Sequence, residues 1–338
     1  MSLSTPSSTR FDVLTIGNAI VDVIARAEDD FLVAQSLVKG SMRLIDPTEA
    51  ERLYALMNST LEISGGCAGN TAAGVASFGR RTAFIGKVAD DHLGRVFRHD
   101  IQAIGVAFAT PALTDGTPTA RSMILVTPDG ERTMNTYLGA CQQLTPADID
   151  ADIVAASSFI YLEGYLWDPP AAKEAFRRAA DIAHAHGRRV AITLSDSFCV
   201  DRFREEFLDL LRSGTVDIVF ANEAEAKSLY QTSDFDSAVA GLRQDAKLSA
   251  VTLGAQGSLV VTRSETHHVP VAPVETLVDS TGAGDLYAAG FLAGLSLGEP
   301  LTTCAALGGL AASEIIAHYG ARPQASLQDL ARQSGFAL

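Results

Sequence analysis

The stretch Asp279-Ser280-Thr281-Gly282-Ala283-Gly284-Asp285 leads directly into the apolar run 286–294. Its glycines allow turns closed to other residues and a close approach of backbone to a ligand. The start of a helix presents unpaired N–H groups and the positive end of the helix dipole, so loop and helix together suit a phosphate. Asp285 stands where loop meets helix. A carboxylate there is badly placed to bind an anion but well placed to take a proton from a hydroxyl attacking a phosphate. The plainer alternative is a loop with a capping Asp. Two further stretches bear on the choice: the glycine loop Gly65-Gly66-Cys67-Ala68-Gly69-Asn70, and Asn222-Glu223-Ala224-Glu225.

Composition limits what such a site can serve. A chain of 338 residues can bury a large core, as one domain or two unequal ones. A net charge of −14 argues against nucleic acid or an anionic membrane as the main partner. Positive charge for a polyphosphate must then be local: a backbone nest, an Arg or a metal. Cys67, Cys141, Cys199 and Cys304 are widely spaced, which reads as free thiols in a reducing compartment. Residues 1–10 lack the apolar core of a signal peptide and read as a flexible tail, and no apolar run reaches the roughly 18 residues of a membrane span. A cytoplasmic location is expected.

The elements that must position these residues follow from pattern. Strands are expected over 11–16 and 19–25, with Asp22 a lone acid in the second. A helix is expected from Asp46-Pro47-Thr48-Glu49, with Asp as cap and Pro at the first position. A small-residue helix should follow Asn70. Runs 120–126 and 132–137 flank Pro128-Asp129-Gly130, a hairpin signal, and read as an antiparallel flap. Beyond Pro146 strands alternate with helices of 10 or more residues, which implies a parallel sheet covered on both faces. The expected fold is α/β, one unit over 11–330. A large domain (about 11–17, 46–105 and 140–330) would carry a small β lid (about 18–45 and 106–138). Ligands of such sheets bind beyond the carboxyl ends of the strands.

No Gly-x-x-x-x-Gly-Lys-Ser/Thr is present, nor a Gly-x-Gly-x-x-Gly after the first strand, nor the protein-kinase motif set. Instead, the Gly65–Asn70 loop resembles the N-terminal Gly-Gly signature of the ribokinase-like (PfkB) carbohydrate kinases. Asp279–Asp285 resembles their C-terminal Asp-(Ser/Thr)-Thr-Gly-Ala-Gly-Asp signature, and Asn222–Glu225 their Asn-x-x-Glu motif. Order and spacing agree over residues 11–325. Within the family, Gly17-Asn18-Ala19-Ile20-Val21-Asp22 is similar to the opening of the adenosine kinases, as are the stretches 193–198 and 216–226.

The resemblance implies a ribokinase-like fold and transfer of the γ-phosphate of ATP to a hydroxyl. Asp285 would be the base. The N–H groups of Ala283, Gly284 and Asp285, with Gly282, would form the anion hole. Asn222 and Glu225 would place Mg²⁺ through water; a helix cap is the plainer reading. Asn18, Asp22, Gly65, Gly66 and Asn70 would hold the sugar, with a solvated acid for Asp22 and an N-cap for Asn70 as alternatives. Arg132 could reach from the lid to the γ-phosphate, or be only a hairpin-edge charge. Thr252, Gly254 and Gly257 match an ATP loop, or a plain turn. Tyr137, Tyr165, Trp167 and Phe198 are the aromatics expected nearest a base pocket, and His184 with His186 is discounted as a metal site.

The acceptor most expected is the 5′-hydroxyl of adenosine. A free sugar such as ribose or fructose is the alternative, and a catalytically silent nucleoside sensor a third. A lid lined by aliphatic and aromatic residues favours a nucleoside, and one lined by Asn, Gln and Lys a bare sugar. A monomer is expected over a lid-mediated homodimer, while dependence on a monovalent cation stays open.

Overall fold

A computed structural model describes residues 9–274 and 276–337. Most of the expected tail, residues 1–8, lies outside the described residues. Thr9, counted in that tail, is buried and its hydroxyl meets that of Ser158 at 2.6 Å.

The strand Phe11–Ile16 runs through the middle of a nine-stranded sheet, pairing in parallel with Thr82–Ile85 on one side and Ser157–Glu163 on the other. Successive side chains of a strand point to opposite faces. Leu14 and Ile16 accordingly enter one core with Ile160, Leu162 and Val190, whereas Val13 enters another with Phe159, Tyr161 and Phe291. Parallel pairing continues through Arg189–Thr193, Ile218–Asn222 and Leu248–Thr252. Ser258–Thr262 and Thr266–Val269 close that edge as an antiparallel hairpin. The α/β expectation holds, with a mainly parallel sheet between helical layers.

A second, five-stranded sheet forms the lid. Its hairpin, Ala120–Val126 with Arg132–Tyr137, is antiparallel as the Pro128-Asp129-Gly130 turn requires. Ile20–Arg26 and Met42–Leu44 join it by parallel pairing. The lid boundaries need correction. Leu61–Gly65, assigned from sequence to the large domain, pairs antiparallel with Ile20–Arg26 and is a lid strand. Ala107–Phe108, assigned to the lid, extends the large sheet beside Thr82–Ile85. Both segments are short, so the long-range pairing that decides their sheet leaves little trace in local pattern.

Two helices carry the two glycine loops. Cys67–Ser77 is built almost entirely of small buried residues and packs on Ala283–Leu297. Ala283–Leu297 lies against Leu301–Ile315 so closely that a Cβ on Gly290 would sit 2.4 Å from the carbonyl oxygen of Leu307. Backbone cannot yield there as a side chain can. Gly290→Ala should therefore lower stability by about 3 kcal/mol, read as a fall in the chemical-denaturation midpoint.

Candidate active site

The loop before Ala283–Leu297 is shaped by Asp279. Its Oδ1 accepts from the Thr281 N–H at 3.0 Å and the Thr281 hydroxyl at 2.7 Å, and its Oδ2 from the Gly320 N–H at 3.1 Å. These bonds hold its pKa below the usual carboxylate value against the opposing effect of burial. Gly282 caps the helix at φ +80, and a Cβ there would stand 2.7 Å from that of Ala321. One part of the expected anion hole is altered. The Ala283 N–H donates to the Ser280 carbonyl at 3.2 Å, so Gly284 and Asp285 supply the open N–H groups at this terminus. Gly284 faces open space.

Asp285 lies across the cleft from the other glycine loop. The Asn70 amide donates to its Oδ2 at 2.9 Å, and the hydroxyl of Thr71 caps its backbone carbonyl at 3.2 Å. Burial raises its pKa to about 6, against the lowering effect of bonds from Asn70 and Cys67 and of the Arg322 charge. A carboxyl near 6 is ionised at neutral pH yet basic enough to accept a proton. Oδ1 of Asn70 is buried without a partner among the described residues, so this side chain has an acceptor to offer a hydroxyl while its NH₂ holds Asp285.

Asp22 sits on Ile20–Arg26 with both carboxylate oxygens against Gly65, where a Cβ would come within 2.5 Å of Oδ2. Gly66 has φ +83, and its place against the Asn18 carbonyl leaves no room for a side chain. Burial raises Asp22 to about 6, moderated by Arg322 and Arg132.

Asn18 is held by Glu163, with its own Oδ1 left buried and without a partner among the described residues. Its amide donates to Glu163 Oε1 at 2.7 Å and its N–H to Oε2 at 3.2 Å, while the Ala68 N–H reaches the same Oε2 at 2.9 Å. Glu163, which the sequence reading missed, thus ties the end of the first strand to the start of the small-residue helix. Its position at the end of Ser157–Glu163, with its charge turned into the sheet, was the only available signal.

Arg132 is drawn to Asp279, with Nε 3.2 Å from Oδ2 and each side chain only 9% exposed. The geometry is that of an ion pair, and Nε lacks a hydrogen-bond partner among the described residues. Arg132 also lines a cleft of about 1000 Å³ between lid and large unit. That cleft is walled by Ile24, Leu61, Ile63, Val126, Pro128 and Tyr319, and its lining includes one Asn (Asn58) but no Gln or Lys.

On the far side of Ala283 and Gly284 is a second cavity of about 560 Å³. Thr252, Gly254 and Gly257 line it, together with Val271, Val274, Leu277 and Ile316. Asn222 is the strand partner of Thr252. Its side chain forms a capping box with Glu225: the Asn222 amide donates to Glu225 Oε1 at 2.6 Å, and the Glu225 N–H donates back at 2.8 Å. Burial raises Glu225 to about 7, with no cation facing it. Of the expected aromatics, Tyr165 faces Cys67 and Glu163, and Tyr137 lies on the lid beneath the Arg121 guanidinium. Trp167 is core, Phe198 is 69% exposed, and Tyr165 donates to Asp196 at 3.0 Å. His184 pairs with Asp217 at 2.9 Å.

Residues 12–327 match the pfkB family of carbohydrate kinases. The chain belongs to that family and is a phosphotransferase, for which the family implies ATP as phosphate donor. Adenosine kinase of Saccharomyces cerevisiae is 26% identical over 318 residues, covering 88% of this chain and 92% of that protein. Among solved structures, adenosine kinase from Sinorhizobium meliloti is 60% identical with a TM-score of 0.89, covering 96% of this chain and 100% of that one. A probable sugar kinase from Rhizobium etli is 55% identical with a TM-score of 0.90, covering 97% and 99%. Among the described residues no helix is long and apolar enough to cross a membrane.

The raised carboxyl of Glu163, at about 7, has a consequence for stability. Its folded pKa lies above its usual 4.5, so it favours the folded state fully below pH 4.5, and that contribution is lost as pH rises through 7. Glu163→Gln, with the Asn18 amide turned over to suit, should flatten the melting temperature between pH 5 and about 7 relative to wild type.

Proposed function

We propose that this chain phosphorylates the 5′-hydroxyl of adenosine. The observation that carries the reading is the apolar wall of the lid cleft. Ile24 follows Asp22 on the same face of its strand, and Ile63 is the cross-strand partner of Asp22. A purine stacked there would leave its ribose at Asp22 and Asn70, where a carboxylate and an amide acceptor meet the ring hydroxyls. A bare sugar would leave this wall bare, at a cost that scales with the apolar area exposed.

In this reading Asp285 accepts the proton of the attacking hydroxyl as the phosphoryl group moves. The Gly284 and Asp285 N–H groups and the dipole of the helix Ala283–Leu297 stabilise charge on the transferred group. The cavity at Thr252, Gly254 and Gly257 takes the adenine and ribose of ATP, so donor and acceptor meet at Gly284 from opposite sides. Arg132, with its open Nε, is the lid's contact for the γ-phosphate, and Asp279 orients it until the anion arrives. Glu225 and Asn222, whose side chains are bonded to each other in the capping box, would be the residues that hold Mg²⁺, and the ion would supply neutralisation of phosphate charge. Lid closure excludes water that would otherwise hydrolyse ATP. The protein acts in this reading as a monomer, and sedimentation velocity distinguishes that from a lid-mediated dimer.

The test is ADP release with Mg-ATP against adenosine, other nucleosides, ribose, fructose, fructose 6-phosphate and no acceptor. Turnover should be strongest with adenosine; turnover with a bare sugar alone would sink the nucleoside assignment. Asp285→Asn should lower kcat by at least about 10³-fold while adenosine still binds. Wild-type kcat/KM for the acceptor should fall on the acid side with a midpoint near pH 6, where Asp285 and Asp22 become protonated.

A further inference from the structure

Arg322 touches both ends of the Gly65–Ala68 loop. It lies on the segment between the helices Leu301–Ile315 and Leu327–Gln333, far from any of the family motifs. Its Nε and one terminal nitrogen donate to the Ser64 carbonyl at 3.0 and 2.6 Å. The same terminal nitrogen reaches the Ser64 hydroxyl at 2.8 Å, and the other donates to the Gly69 carbonyl. The two carbonyls flank Gly65, Gly66, Cys67 and Ala68, so a single planar fork spans the glycine loop from strand to helix. Ser64 is held from behind as well: its N–H and hydroxyl donate to Asp100 Oδ2 at 2.8 and 2.5 Å.

What the fork holds is the spacing of two carboxylates. Gly65 is the surface against which Asp22 rests, and Asn70, next to Gly69, is the side chain that grips Asp285. The charged groups facing Asp285 are Asp22, Glu163 and Arg322, with neutral donors from Asn70 and Cys67. Those facing Asp22 are Arg322, Arg132 and Asp285, with the neutral Cys67 thiol beside it. Asp100 faces Arg322 from the other side. Arg322 is thus the cation common to both acids.

We propose that Arg322 is a positioning residue for phosphoryl transfer, fixing the 64–69 backbone against which Asp22 rests and from which Asn70 grips Asp285. The inference rests on the phosphotransfer reading of Asp285 but does not depend on which acceptor is used. A guanidinium suits the task where an ammonium would not, because only a planar fork can serve two carbonyls and a hydroxyl together.

Two readouts test it. The first is a carboxyl ¹³C titration of the free protein labelled at aspartate, assigned with Asp22→Asn and Asp285→Asn. In Arg322→Gln the Asp285 midpoint should rise by about one pH unit; an unmoved midpoint overturns the proposal. This titration needs no acceptor, so it stands even if the acceptor panel gives no turnover. The second is the pH profile of kcat/KM. Arg322→Gln should lose on the order of 10²-fold for the acceptor while the KM for ATP moves less than about threefold. Arg322→Lys should restore the midpoint but stay roughly tenfold down, since charge returns without the fork. Equal losses toward both substrates, with no shift of the acid limb, would mean a merely structural side chain. Should Arg322→Gln fail to fold, Asp100→Asn carries the test in the opposite sense. Asn keeps an acceptor for Ser64, and removing the competing charge should move the acid limb to lower pH; no movement counts against the proposal.

Discussion

The cost of keeping carboxylates charged away from water governs this molecule. Asp22, Glu163 and Asp285 all lie around the acceptor site, and burial pushes each upward in pKa. Each is kept usable by donors or cations from a different part of the chain. Glu163 takes three donors from Asn18 and Ala68, Asp285 takes Asn70, and Asp22 relies on the charges of Arg322 and Arg132. A buried acid without such partners would simply be neutral. The loops around the site are therefore built as much to serve the acids as to meet a ligand.

This explains which parts of the site were legible in the sequence. The glycine signatures are local: a turn, a close approach and a helix start are encoded in a handful of consecutive residues, and Gly282, Gly284 and Asp285 stand where their spacing implied. The cavity beside Thr252, Gly254 and Gly257 was legible for the same reason. Arg322 and Glu163 were not, because their partners lie 258 and 145 residues away. An acid at a strand end and an arginine in a late loop carry no mark of what they meet. The tie between Asn18 and Glu163 was not legible for that reason either: it takes both donors of Asn18 and leaves its Oδ1 without a partner among the described residues.

The lid shows the same division at the level of fold. Its hairpin was plain from the turn residues and the alternation on each side. The strand Leu61–Gly65 was not, since one stretch supplies both a lid edge and, at its last residue, the resting place of Asp22. Lid and glycine loop are consecutive residues of one chain, so neither can shift without the other. Asn222 and Glu225 illustrate a site whose plainer reading and functional reading coincide. The capping box is formed, and burial still raises the acid it holds to about 7.

The pairing of Arg132 with Asp279 has a kinetic meaning. Asp279 organises the turn that precedes Gly282, and Arg132 belongs to the lid hairpin. A lid that swung outward to exchange ligands would part that pair, and with it the cation that faces Asp279 Oδ2 among the described residues. The open enzyme would then be a poor phosphate binder at this turn, and the shut enzyme a good one. On the function proposed above, the guanidinium that closes the lid would also prime the phosphate turn behind it, so that donor bound beneath an open lid would meet an unprimed turn.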